Sequence, residues 1–473
     1  MGDWLKKTCY TPVTLAWLMK LTASLIVPAL ILWLRPLGMN FSQSATVAGV
    51  LMVIIWWTAG IVKKIPASLF LLAWFCVFSG APARTIFTFP LGETFIMLIV
   101  TYVFSQAIGN CGILDRILLP LIMRFAKTPF RCLLAVILSF FLLMYVVPQP
   151  VARLILLAVV MDTFLKRTTL EERCRQVILY AVFVFYAIVN MACKDADLIM
   201  NYVACTVSGE TITNGMWTRA MLVPTLGYIA VILAVFTALF RKELLGVKVE
   251  LRPGMEKPVT GFAKRELPPV IVVAATVILW MTSGLWGSGI LLFGCISANT
   301  LVTLVSTALL FALGALSKKD FAAVDVVTLV FLSAAMAIGG VLKACGAADI
   351  VFGALSGILP EEFSVGYLLV MVLVGMLLHM VLGSNTTTLS VIVPGLMLLC
   401  GETVSAEVVV YTSIISVAFH AILPFHSVAL MIGSSSGYFP TRYVSRLGLA
   451  VTPFVFLSAA LIFLPWWKLI GLI

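Results

Sequence analysis

Charge is scarce in this chain. Of its 473 residues only 11% are Asp, Glu, Lys or Arg, against about 25% in soluble domains. No stretch is polar enough to make a separate soluble domain; the longest candidate, Arg241 to Glu266, has the length of a linker. Histidine is scarcer still, with three in all. The ten cysteines form no CxxC pair and no metal-type spacing, so they read as free thiols in apolar helices. No P-loop and no GxGxxG motif sits where a nucleotide could bind, which argues against ATP drive. A nucleophile–base pair or a metal cluster, which a membrane enzyme needs, is missing as well, so no enzyme is expected.

What is present is hydrophobic. The apolar residues make up 62% of the chain, and the mean hydropathy is +1.14. At roughly 20 residues per span the length holds some 10 to 14 spanning or re-entrant elements. The net charge of +11 fits cationic cytoplasmic loops better than nucleic acid. Lys6 and Lys7 precede an apolar run that is too long for a signal h-region, so an uncleaved first helix is expected.

The apolar runs predict helices over about 14–34, 44–62, 66–81, 91–109, 176–206, 217–240, 268–285, 289–316, 322–344, 406–436 and 446–471. Two further pairs of apolar arms, 131–147 with 151–164 and 365–382 with 387–400, flank "PQP" and "SNTTT". Lys and Arg gather in the loops at 63–64, 116–131, 166–175, 241–265, 318–319 and 442–446. That pattern puts the N-terminus in the cytoplasm and the C-terminus outside, in a plasma or inner membrane, if each pair of arms enters and leaves on one side. Proline or polar residues at mid-depth require a protein interior or an aqueous cavity around them.

The chain repeats itself weakly. "AIGNCGILDRI" (107–117) and "VLKACGAADIV" (341–351) share Cys-Gly followed by Asp. Each precedes a pair of arms, and each pair precedes a long helix broken in its middle, at "ACKDAD" (192–197) and near Pro424. The halves start on opposite sides of the membrane, so an inverted repeat is expected, the organisation of many secondary transporters. The expected organisation is an N-terminal helix in 1–40, a first repeat over 41–240, a basic linker over 241–266 and a second repeat over 267–473.

The polar tips carry the chemistry. A hairpin tip offers helix N-terminal N–H groups to an anion, and open carbonyls at the same break suit a hard cation such as Na+. Lone Ser or Thr residues in such helices usually bond back to their own backbone, but Gly383, Ser384, Asn385, Thr386 and two further threonines in succession point to a binding loop. "GSNTTTLSVIVP" resembles the Ser-Asn-Thr signature of the divalent anion/sodium symporter family (solute carrier family 13 and bacterial relatives). "SVAFHAILPFHSVALMIGSSSGYF" (416–439) and "GNCGILDRI" are similar to two further segments of that family. The resemblance implies an all-α polytopic membrane protein of about 11 transmembrane helices plus two re-entrant hairpins. It also implies an elevator-type transporter, usually a homodimer, that carries small organic anions such as di- or tricarboxylates. Ser384, Asn385 and Thr386 would hold substrate; Gly383, Ser384 and Asn385, with Pro424 to Ser427 from the helix break, would hold the coupling cation. Sodium is then the coupling ion to consider, and no cofactor is expected. The partners expected are the bilayer, a small anion and a second copy of the chain.

The first half departs from that signature. Its tip reads Pro148-Gln149-Pro150, with Arg153 one turn on, and its helix break reads Lys194-Asp195-Ala196-Asp197. Gln149 keeps an amide, while two prolines remove two donors. Charges at mid-depth normally pair or face a polar cavity, so Lys194 or Arg153 is expected to supply the positive charge that Na+ supplies elsewhere, beside Asp195 and Asp197. That replacement would allow anion exchange, inorganic oxyanion transport or, as a further alternative, an anion channel. His426 stands at the second break beside Ser427 and is the stronger candidate for proton coupling; His379 is the weaker one.

Overall fold

With no water to satisfy backbone groups inside a bilayer, a chain of this composition must bond its own N–H and C=O groups within helices. The computed structural model describes residues 15–59, 61–147, 150–197, 199–253, 266–286, 291–292, 296–353, 362–382, 385–401, 403–418, 420–423 and 426–473. The first-half helices are α1 (Leu15–Leu34), α2 (Phe41–Ala59), α3 (Lys64–Phe78), α4 (Glu93–Asn110), α5 (Ile113–Phe125), α6 (Pro129–Val146), α7 (Pro150–Lys166), α8 (Glu172–Val189), α9 (Met200–Ser208) and α10 (Asn214–Leu239). The second-half helices are α11 (Leu267–Trp286), α12 (Ala298–Ala312), α13 (Val326–Ala344), α14 (Ala347–Gly353), α15 (Val365–Leu382), α16 (Asn385–Cys400), α17 (Ala406–Ala418), α18 (Val428–Ser435) and α19 (Arg442–Ser458). A π-helical turn joins α19 to a last helical piece, Leu464–Leu469. The protein is an all-α polytopic membrane protein.

Among the described residues four helical stretches are long and apolar enough to cross a bilayer, at 17–34, 172–192, 214–239 and 442–469, and ten shorter apolar helices accompany them. Their surroundings differ. The stretch at 17–34 is 11% buried and faces outward, whereas that at 172–192 is 78% buried and forms the centre of the molecule. Around it Tyr180 and Phe183 of α8 pack with Phe236 of α10 and with Phe439 and Tyr443.

Both pairs of arms are hairpins. Helices α6 and α7 pack on each other and on α8; α15 and α16 do so with α17. Proline opens α6 and α7, where its missing N–H costs nothing, and Thr128 caps α6 by accepting from Arg131 N at 3.2 Å. The Cys-Gly steps also correspond: Gly112 before α5 and Gly346 before α14 both have a left-handed backbone, φ 63° and 73°, which glycine adopts without a Cβ penalty.

The expected elements are all found, with two boundaries corrected. The helix expected over 289–316 begins only at Ala298, after two-residue strands at 291–292 and 296–297 that pair with each other. Gly287, Gly289 and Gly294 make a helix unfavourable there. "SNTTT" is not a loop throughout: Asn385 already opens α16, so Asn385 to Thr388 form its first turn. Asn and Thr suit that place, because the first-turn N–H groups have no partner inside the helix.

The halves interlock. Helix α9 lies along α16 and α17, and α18 packs on α8. Residues 249–252 of the linker bond to both bases of the first hairpin. Val249 N donates to Lys127 O at 3.1 Å, Thr169 N to Glu250 O at 2.9 Å and Arg252 N to Arg167 O at 2.8 Å. Arg116 of α5 forms a two-pronged ion pair with Glu266, at the head of α11, at 2.5 and 3.2 Å.

Candidate substrate and ion site

Both long helices break, and the breaks differ in how their polar groups are met. In the first half α8 ends at Val189 and α9 starts at Met200, with two short 3₁₀ turns between. The carbonyls freed there find donors within the chain. Asn201 Nδ2 lies 3.0–3.3 Å from the oxygens of Asn190, Cys193 and Lys194. Trp217 Nε1 donates to Met191 O at 2.8 Å, and Asn201 N to Asp197 O at 3.2 Å.

Arg153, on the first turn of α7, reaches into this break. It is fully buried. Its guanidinium donates to Val147 O of the hairpin at 3.1 Å, to Asn190 Oδ1 at 2.7 Å and to Ala196 O at 2.5 Å. Asp197 caps α9, accepting from Ile199 N and Met200 N at 3.0 and 2.8 Å, and its other oxygen takes Asn190 Nδ2 at 3.5 Å. The Asn190 amide therefore stands between the two buried charges. The direct pairing of Arg153 with Asp197, one alternative open from sequence, is not among the ion pairs of the described residues. A guanidinium meets several acceptors in fixed directions, and here it joins the hairpin end to the helix break.

Lys194 and Asp195 point elsewhere. Lys194 Nζ donates to Ile212 O at 2.7 Å and lies 4.9 Å from the centre of the Tyr202 ring. Tyr202 Oη donates to Asp195 Oδ1 at 2.9 Å. These two charges thus meet at Tyr202, whereas Arg153 turns to Asn190 and Ala196.

In the second half the tip and the break meet the first break. Asn385 Nδ2 donates to Met200 Sδ, at the start of α9, at 3.4 Å. Its Oδ1 is buried with no hydrogen-bond partner among the described residues. Asn385 and Ser427 line one cavity of about 50 Å³ with Tyr180, Phe183, Tyr228 and Ala421. Thr386 is half-buried beside Asn385, and its carbonyl accepts from Ser390. Gln149, Gly383, Ser384 and Pro424 lie outside the described residues. The structure thus brings together Asn385, Thr386, Ser427 and His426, and places Arg153 with Asp197 at the adjoining break.

Sequence reasoning missed Asn190, Asn201 and His420. Two amides flanking a break in an apolar run were the available signal for the first two. All three histidines of the chain meet at the second break. His379 of α15 and His426 have ring centres 5.3 Å apart, and His379 and His420 6.4 Å. His379 Nε2 is 3.1 Å from His426 O, and His426 Nδ1 accepts from the backbone N–H groups of Ile422 and Leu423.

The second break is held from behind by a glycine. A Cβ on Gly448 of α19 would overlap the backbone of Ala421 and Ile422, which cannot yield as a side chain tip can. Gly448→Ala should therefore cost about 1–3 kcal/mol by overpacking and lower the heat-unfolding midpoint in detergent. Gly366→Ala, whose added Cβ meets only ordinary contact, should leave it nearly unchanged; equal midpoints for the two variants would contradict the packing described.

The model of the sodium:sulfate symporter transmembrane region matches residues 15–473. Among solved structures the fold is similar to the Alcanivorax borkumensis YdaH transporter, described as having an unusual topology. The match has a TM-score of 0.55 at 13% identity and covers 89% of this chain and 98% of that one. No functionally curated protein matches the chain.

Proposed function

Since the chain belongs to the sodium:sulfate symporter family, we propose that it is a secondary active transporter of small anions, di- or tricarboxylates, moved together with a cation. The observation that carries this reading is the Asn385 turn: a polar helix start, set against the first break and open to a cavity, inside an otherwise apolar interior. First-turn N–H groups and the helix dipole draw an anion there. Asn385, Thr386 and Ser427 then supply neutral hydrogen bonds; Ser384 and Gly383 complete the second tip as the family resemblance assigns them, and the Gln149 amide stands in for the signature that the first tip lacks. At about 50 Å³ the cavity holds only one or two waters, so it must widen to admit substrate.

The two hairpins with their broken helices, α8–α9 and α17–α18, form the moving body of an elevator, and the remaining helices form the scaffold of a homodimer. The protein lies in the plasma membrane with its N-terminus in the cytoplasm.

Sodium fits one half better than the other. An exchangeable cation needs open carbonyls at a break. In the first break the carbonyls of residues 190, 191, 193, 194, 196 and 197 all accept from this chain's own donors, and the Arg153 guanidinium stands among them. Arg153 is therefore the fixed positive charge of that half, and sodium is left to the second tip and Pro424. Fewer exchangeable cations per anion also favour the second reading, exchange of one anion for another.

The test is uptake of succinate, citrate and sulfate into liposomes containing the purified protein, with sodium and pH gradients imposed separately. Saturable uptake stimulated by anion on the opposite side is expected. No uptake or exchange of any anion would overturn the reading, and large unitary currents would replace it with a channel.

A further inference from the structure

Helix α10 ends where α19 begins, and two aromatic side chains hold the ends together: the rings of Phe240 and Tyr443 lie 5.1 Å apart. Basic residues flank both rings. Arg241 and Lys242 open the helical turn Arg241–Leu244 directly after Phe240, and Arg442 precedes Tyr443. Arg446, one turn further along α19, crosses to α10. Its Nη2 donates to Leu239 O at 3.1 Å, and its guanidinium lies 5.5 Å from the centre of the Phe240 ring. All four cations are exposed. Elsewhere basic side chains meet carboxylates, Arg116 at Glu266 and Lys166 and Arg175 at Asp162. None of these four enters an ion pair among the described residues. Glu243, in the same turn, is half-buried and acts on the Cys174 thiol of α8.

The same face of α19 turns apolar beyond the arginines. Positions 442, 446, 449, 453 and 457 recur every three or four residues, so they share one face of the helix, and all five are exposed. Leu449 is 62% exposed and Leu457 50%; Leu461, in the π-helical turn that follows, is 69% exposed. From Arg446 to Leu457 the helix rises about 16 Å, close to the ~15 Å of hydrocarbon in one leaflet. A basic head and an apolar ridge of leaflet depth thus lie in line on one helix.

We propose that this face binds an anionic phospholipid, with Arg241, Lys242, Arg442 and Arg446 around its phosphate and an acyl chain along the ridge from Leu449 to Leu457. The guanidinium fork matches phosphate oxygens in pairs. Arg446 is already oriented by the Leu239 carbonyl and the Phe240 ring, so less freedom is lost when the lipid arrives. Basic residues at a membrane surface add their attractions for an anionic headgroup. A zwitterionic headgroup carries its own cation beside the phosphate and gains little from them. A second copy of the chain fits this face poorly, because a two-fold contact would set the same arginines against each other. The site stands apart from the two breaks and does not depend on which ions or anions are transported.

Native mass spectrometry of the full chain in detergent reads bound lipid directly. With phosphatidylglycerol and phosphatidylcholine of identical acyl chains in competition, the anionic lipid should bind at least about tenfold more tightly. Equal binding of the two by the wild type would overturn the proposal, and that comparison stands even where a variant fails to fold. Arg442→Gln combined with Arg446→Gln should lose most of the preference. Lys318→Gln combined with Lys319→Gln, which neutralises two exposed cations elsewhere, should keep it; equal losses in the two double variants would reduce the effect to bulk charge and remove the site. Heat unfolding separates the sources of phosphate. Phosphatidylglycerol should raise the midpoint, and inorganic phosphate, which has no chain to lay on the ridge, should raise it far less. Equal protection by the two would leave an ion site and sink the lipid assignment. A dimer in the same spectra that Leu449→Arg breaks would give the face to a second copy and would also overturn the proposal.

Discussion

Alanine at Arg153 is expected to abolish transport and to remove about 3–5 kcal/mol of stability, the usual cost of stripping one partner from a buried charged network. Three oxygens would lose their donor at once, those of Val147, Asn190 and Ala196. Asp197 would lose the positive charge that Asn190 relays to it. Lysine should rescue poorly, since a compact ammonium on a shorter reach cannot meet the hairpin and the break in the same directions. Added guanidinium, or a high sodium concentration, should restore part of the exchange to the alanine variant, because the freed carbonyls then become ligands for a soluble cation. Heat unfolding in detergent and anion counterflow in liposomes read the two effects. An Arg153→Ala protein that melts and exchanges like the wild type would show that the guanidinium is not the fixed charge of the first half.

The second large effect is expected from Asn385→Asp. The change keeps the shape of the side chain and adds a negative charge where the anion is proposed to sit. Two like charges about 4 Å apart at an effective dielectric near 20 repel by ~4 kcal/mol, roughly a thousandfold loss of anion affinity. The fold should not suffer, because Asp is favoured at a helix start and complements its dipole. Stability and affinity therefore move apart, which a purely structural Asn385 would not produce. The measurement is half-saturation for succinate and sulfate beside the melting midpoint. An unchanged half-saturation would remove Asn385 from the substrate site.

Much of this architecture was legible in the chain because a membrane interior tolerates few exceptions. Polar or proline-rich tips in apolar runs marked both hairpins, and "ACKDAD" and Pro424 marked both breaks, close to where α8 and α17 end. The paired Cys-Gly steps marked the internal repeat, and the structure gives both the same left-handed glycine. What stayed hidden was direction. Arg153 and Lys194 looked interchangeable as buried cations, yet one turns into the break and the other toward Ile212. That choice depends on which carbonyls the folded chain brings near, and no spacing in the sequence states it. The meeting of the histidines stayed hidden for the same reason: His426 and His379 stood out only as separate candidates, and it is the packing of α15 against α17 that brings them together with His420. The helix start at Asn385 was missed because a run of hydroxyls reads as loop, whereas a first turn uses such residues equally well.

In the elevator proposed above the linker between the halves would act as a leash. One end is tied by backbone hydrogen bonds to the feet of the first hairpin, at Lys127 and at Arg167 to Thr169. The other end is tied at Glu266 to Arg116 and runs straight into α11. Between Pro253 and Glu266 the chain can stretch at most about 45 Å, at roughly 3.5 Å per residue. In the elevator proposed above the hairpin feet would travel while the scaffold stays, and this contour length would bound the stroke. Shortening it residue by residue should leave the travel untouched until the leash draws tight, and then stop it within a few deletions.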